Sequence, residues 1–99
     1  MLIGEVEHLK KKAIQCIRHK DQAFVLIYQS QKFYLLDNLC PHKAADLCDG
    51  HLQDEEISCP WHKARFDIKS GIGLTPLAGK GVKSWPLMIK NGQLVAETD

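Results

Sequence analysis

Four residues of this chain have the types and spacing of a metal site. Cys59 and His62 stand three apart in SCPWHKARFDIKSG, residues 58–71. Upstream, CPH sets Cys40 and His42 two apart, and sixteen residues separate His42 from Cys59. Thiolate and neutral imidazole are good ligands for zinc and iron, so each loop offers a half-site containing one of each. A tetrahedral zinc ion could take all four. Structural zinc sites, however, usually draw a cysteine pair from one loop and a histidine pair from another. Two mixed loops suit a dinuclear iron–sulfur cluster instead, with one iron on both cysteines and the other on both histidines. With two ferric irons, two sulfides and two thiolates the oxidised site is neutral, and one added electron makes it an anion. Imidazole offsets less positive charge than thiolate does. The electron should therefore settle on the histidine-bound iron, at a higher potential than in an all-cysteine cluster.

Such loops must be held by elements on either side, and the flanking sequence reads as short strands. AIQCIR (13–18) and AFVLIY (23–28) are rich in β-formers, and FYLLD (33–37) follows the polar turn QSQK (29–32). Residues 23–37 thus read as a hairpin. EEISC (55–59), RFDI (65–68), VKSWPLMIK (82–90) and QLVAE (93–97) complete seven predicted strands. Asn91-Gly92 between the last two is a strong hairpin turn, because both residues tolerate positive φ. No segment keeps a helical apolar period over three turns, although residues 1–12 could hold one turn of helix. The fold expected is all-β and sandwich- or barrel-like. CPHKAADLCDG (40–50) and PWHKA (60–64) interrupt the strands as loops, where function concentrates.

At 99 residues with no linker, repeat or low-complexity tract, a single domain over residues 1–99 is expected. A net charge of +1 argues against a nucleic-acid partner, which needs a surplus of Lys and Arg. The longest apolar run, residues 23–28, is too short to span a membrane, and MLIGEVEHLKKK lacks the apolar region of a secretory signal. The expected setting is a reducing cytoplasm. There the four cysteines read as metal ligands or core thiols before disulfides.

CPH followed by CPWHKARFDIKSG resembles a Rieske iron–sulfur protein, specifically the small soluble Rieske ferredoxin. VLIYQSQKFYLLDNLCPH is similar to the hairpin that enters the family's first ligand loop. GLTPLAGKGVKSWPLMIKNGQLVAE is similar to its proline-bearing loop and closing hairpin. The resemblance implies the Rieske fold: an antiparallel β-sandwich or barrel-like base with a small cluster-binding subdomain, its loops at about 40–50 and 59–66. It implies one 2Fe–2S cluster, with Cys40 and Cys59 on the inner iron and His42 and His62 on the outer, exposed one. Pro76 would lie in the loop that covers the cluster. The implied function is that of a one-electron carrier with no substrate chemistry of its own. It would run as a monomer between a flavin-dependent NAD(P)H reductase and a terminal oxygenase. The alternative is a small Rieske subunit of a larger redox enzyme such as a nitrite reductase.

High-potential members of the family join an extra cysteine from each loop in a disulfide. They also place a Ser and a Tyr hydroxyl on the sulfurs. The matching positions here are Ala45 and Trp61, and Ala64 and Phe66. Without those donors the added negative charge is less stabilised, so a potential near the low end of the Rieske range, on the order of −150 mV, is expected. Lys63 stands where the family often has glycine. Lys43 and Lys63 directly follow the two histidines and would flank the edge from which the electron leaves. Cys16 reads as a core residue, Cys48 as a packing or spare thiol ahead of a redox one, and His8, His19 and His51 as surface or turn residues. Trp85 reads as packing, and Trp61 as packing, as a shield over the cluster or as a partner contact. The KKK and DEE runs read as solvated faces.

Overall fold

The apolar run of residues 23–28 lies at the centre of the molecule because it is buried on both faces. The computed structural model describes residues 1–38, 46–60 and 64–97. In chain order its strands are β1 (Leu2–Glu5), β2 (Ile14–His19), β3 (Gln22–Gln29), β4 (Lys32–Asp37), β5 (His51–Gln53), β6 (Glu56–Ser58), β7 (Arg65–Asp67), β8 (Ser84–Trp85), β9 (Leu87–Lys90) and β10 (Gln93–Ala96). One helical turn, α1 (Val6–Leu9), follows β1, and 3-10 turns occupy Leu47–Asp49 and Pro76–Ala78. The strands form three antiparallel sheets, ordered β1-β10-β9, β2-β3-β4-β8 and β5-β6-β7.

The four-stranded sheet is the middle layer. Side chains alternate across a strand, so β3 sends Phe24 and Leu26 to one side and Val25 and Ile27 to the other. Phe24 and Leu26 pack with Leu35, Leu94, Ala96 and Leu9 against the first sheet. Val25 and Ile27 pack with Leu36, Ile57 and Phe66 against the small third sheet. All four β3 side chains are fully buried, and burial of each contributes roughly 1.5–3 kcal/mol. This two-sided burial explains an unbroken apolar run where a one-sided strand would alternate. The result is an all-β base of two sheets carrying a smaller three-stranded subdomain, as the family resemblance implies.

The β3–β4 hairpin turns on Ser30 and Gln31, both at positive φ (51° and 66°), and β9–β10 turns on Asn91-Gly92 (52° and 76°). The single turn of helix near the N-terminus is also present. The strand expected over 82–90 divides at Pro86 into β8, in the middle sheet, and β9, in the first. Proline has no N–H to continue a ladder, and the Pro86 carbonyl instead accepts the Glu97 N–H at 3.0 Å. Two short strands, β1 and β5, were not among the predicted ones. They are four and three residues long, too short for an apolar pattern to stand out in the sequence.

Candidate metal centre

The first ligand loop runs from β4 of the middle sheet to β5 of the small sheet and the second joins β6 to β7 of the small sheet, and local hydrogen bonds close the base of each. At the first, Asn38 is fully buried and stands at the end of β4. Its Nδ2–H donates to Asp46 Oδ1 at 2.8 Å, and its Oδ1 accepts the Cys48 N–H at 2.9 Å. Its carbonyl accepts the Leu47 N–H at 2.7 Å, and its own N–H donates to the Ala23 carbonyl at 3.1 Å. One asparagine thus clasps residue 38 to residues 46–48 and anchors the clasp on β3. The sequence reading missed it: an asparagine at a strand end looks like any turn residue.

The chain leaves that clasp through the 3-10 turn Leu47–Asp49 and Gly50 into β5, which pairs His51 with Ser58 of β6. A Cβ at Gly50 would collide with the Ser58 carbonyl, so the exit of the first loop lies against the root of the second. There the Cys59 N–H donates to the Ala64 carbonyl at 2.7 Å, which pins together the two ends of the second loop, between β6 and β7. Cys59 is a free thiol, 2% exposed, in one apolar cluster with Leu47, Ala64 and Phe66. A buried thiol at the closed end of a loop, next to the exit of the other loop, fits the inner position of a dinuclear site.

Of the other candidate ligands, Cys40, His42 and His62 lie outside the described residues, as do Ala45, Trp61, Lys43 and Lys63. Among the described residues no group of three or more His, Cys, Asp or Glu side chains gathers as a metal site. Ala64 and Phe66 are both fully buried, and neither brings a hydroxyl to the Cys59 neighbourhood.

The proline-bearing segment is held alongside β7, the strand that leaves the second loop. The Asp67 N–H donates to the Ile72 carbonyl and the Leu74 N–H to the Arg65 carbonyl, at 3.0 and 2.8 Å. The Arg65 N–H donates to Thr75 Oγ1 at 3.1 Å. Pro76 opens the 3-10 turn and is exposed, while Ala78 sinks into the apolar cluster of Cys59. The segment turns at Gly71, at φ +79°, where a Cβ would collide with the Val82 carbonyl. Asp67 braces that turn. Burial pushes its carboxyl up, but hydrogen bonds from the Ser70 hydroxyl and N–H, the Lys69 N–H and the Lys69 charge outweigh it and leave it below the usual carboxylate range.

The two remaining cysteines correct the sequence reading. Cys16 is exposed on β2 and is no core residue, and Cys48 is no spare thiol: the two are joined as a disulfide, with Cα atoms 5.5 Å apart. In a reducing compartment cysteines read as ligands or core thiols before disulfides, and a separation of 32 residues hides the pair from any local pattern. Trp85 packs as expected, edge-on to Phe24 at 5.7 Å with its Nε1–H on Asp37 Oδ1 at 2.7 Å. His8, His19 and His51 are exposed.

Comparison with known proteins agrees with this architecture. The family pattern described as the Rieske [2Fe-2S] domain matches residues 1–86. The chain is 39% identical over 77 residues to the ferredoxin component of naphthalene 1,2-dioxygenase/salicylate 5-hydroxylase systems from Ralstonia sp., covering 76% of this chain and 73% of the relative. It is 36% identical over 83 residues to the ferredoxin component of the 2,4-dinitrotoluene dioxygenase system from Burkholderia sp. (strain RASC), covering 83% and 79%. Among solved structures, the ferredoxin of carbazole 1,9a-dioxygenase from Nocardioides aromaticivorans IC177 superposes with a TM-score of 0.88 at 21% identity, over 97% of this chain and 94% of that one.

Proposed function

The chain belongs to the Rieske [2Fe-2S] family, and we propose that it is a one-electron carrier between a flavin-dependent NAD(P)H reductase and a terminal oxygenase. The cofactor is one Rieske-type 2Fe–2S cluster, which when bound takes up and releases a single electron. In this reading Cys40 and Cys59 hold the inner iron and His42 and His62 the outer one. Residues 1–99 act as one monomeric domain in the cytoplasm. The chain itself performs no substrate chemistry. Among the described residues, no helix is long and apolar enough to cross a membrane.

The observation that carries the proposal is the junction of the two loop bases: the Asn38 clasp beside the buried Cys59 thiol, at one end of the small sheet. The protein's task there is to hold ligands, exclude water from the inner thiolate and leave the sulfurs poor in hydrogen-bond donors. Buried Ala64 and Phe66 meet the last condition, so the potential belongs near the low end of the Rieske range, on the order of −150 mV. The relatives named as ferredoxin components favour the carrier over the nitrite reductase subunit.

The purified protein should contain equal amounts of iron and acid-labile sulfide and give a Rieske-type EPR signal after reduction. It should then pass electrons from a reductase to an oxygenase in a reconstituted chain. Stoichiometric zinc without visible absorbance would overturn the cluster assignment. A loaded cluster at a potential above about +200 mV, in the upper Rieske range, would overturn the low-potential carrier.

A further inference from the structure

The Cys16–Cys48 pair is chemically separate from the candidate ligands, yet it reaches the base of the first ligand loop. Cys16 stands on β2, at the edge of the middle sheet, opposite Val25. Cross-strand partners share a face, so Cys16 lies on the side of the sheet where Val25 meets the apolar cluster of Cys59. Cys48 sits in the 3-10 turn on that same side, half-buried, with its N–H held by Asn38. The pair therefore ties an edge strand to the residues that close the loop bearing Cys40 and His42. Cys16 is the exposed member and Cys48 is half-buried, so a small thiol or disulfide reaches Cys16 more readily.

We propose that Cys16 and Cys48 form a second redox site, a dithiol–disulfide pair that exchanges with low-molecular-weight disulfides of the glutathione type and, when closed, locks the base of the first ligand loop. In the oxidising direction the Cys16 thiolate attacks the small disulfide, forming a mixed disulfide and releasing one thiol. The Cys48 thiolate then attacks the Cys16 sulfur, closing the bridge and releasing the second thiol. Two electrons leave the protein for the small disulfide, and the two cysteine protons end on the released thiols. This two-electron couple is distinct from one-electron transfer at the cluster. In a reducing compartment, where thiols are kept reduced, bridging would mark oxidative conditions and hold the loop when iron is most easily lost.

The pair itself does not depend on the cluster reading; its consequence for iron retention rests on that reading. The test equilibrates the whole protein with graded mixtures of reduced and oxidised glutathione, quenches with acid and alkylates free thiols. Mass spectrometry should find the Cys16 and Cys48 peptides linked at the oxidising end and separately alkylated at the reducing end. Independent alkylation across the series, or glutathione on Cys16 without closure, would overturn the proposal. Hydrogen exchange reads the lock without reference to iron. The Leu47 and Cys48 amides should exchange several-fold more slowly in the bridged form, and Cys16→Ser should match the reduced parent. Equal exchange in both forms would overturn the lock. Iron release to a chelator should also slow several-fold on bridging. A protein without iron would defeat the cluster reading and leave the first two measurements to decide the pair.

Discussion

Asn38 carries more of the site than its residue type suggests. Truncating it would leave the half-buried Cys48 N–H and the Asp46 carboxylate without their partner. An unsatisfied buried group costs about 1–3 kcal/mol. Asn38→Ala should lower the urea midpoint and speed iron loss to a chelator, while a surface change such as Gln93→Ala leaves both near the parent's values. Asp67 works through its charge. Its folded pKa lies below the unfolded value, for the hydrogen-bonding reasons given above. The stability it contributes is therefore complete above the unfolded value near 3.8 and is lost as pH falls through the folded one. Asp67→Asn should be less stable than the parent at neutral pH, and the gap should close in acid. Denaturation curves at pH 7 and pH 3 decide it: a gap of constant size would mean the carboxylate charge is irrelevant.

At the scale of elements, two hairpins solve the same problem with different residues. The β9–β10 turn uses Asn91-Gly92, which takes positive φ readily. The β3–β4 turn asks the same of Ser30 and Gln31, and a left-handed conformation costs a non-glycine residue roughly 1–2 kcal/mol. Replacing Ser30-Gln31 with Asn-Gly should relieve part of that and raise the thermal midpoint by several degrees, since about 1 kcal/mol shifts a domain of this size by roughly 4–8 °C. Gln29 Nε2 donates to the Asp54 carbonyl, linking this turn to the one between β5 and β6. An unchanged or lowered midpoint would mean that the strain is already offset there. Pro86 acts as a divider in the same sense. It ends one sheet and lets the next residue begin another, so one apolar stretch serves two layers.

The whole molecule is a middle sheet with a core on each side, and β3 belongs to both. Damage to the far core should therefore reach the metal site through stability, without touching its chemistry. Phe24 packs away from Cys59, against Trp85 and the first sheet. Phe24→Ala should cost about 3–5 kcal/mol. Cluster absorbance and far-UV circular dichroism should still be lost in one coincident transition, with the reduction potential unchanged. Separate transitions would show that the two cores fold independently and that β3 does not couple them.

What the sequence determined by itself is what depends on near neighbours. The C-x-H and C-x-x-H spacings named the loops, Asn91-Gly92 set a turn, and the run from Ala23 to Tyr28 marked a strand. Each follows from steric or chemical preferences within a few residues. What depends on distant parts of the chain was decided only by the tertiary structure. The short strands β1 and β5 exist because β10 and β6 offer them ladders. The apolar segment over 82–90 divides because its two halves meet different sheets. Asn38 becomes a clasp because residues 46–48 return to it, and Cys16 finds Cys48 because β2 lies beside that same return. Spacing tells which ligands a loop can offer. Only packing between elements remote in sequence brings the loop bases together and sets a second sulfur pair beneath them.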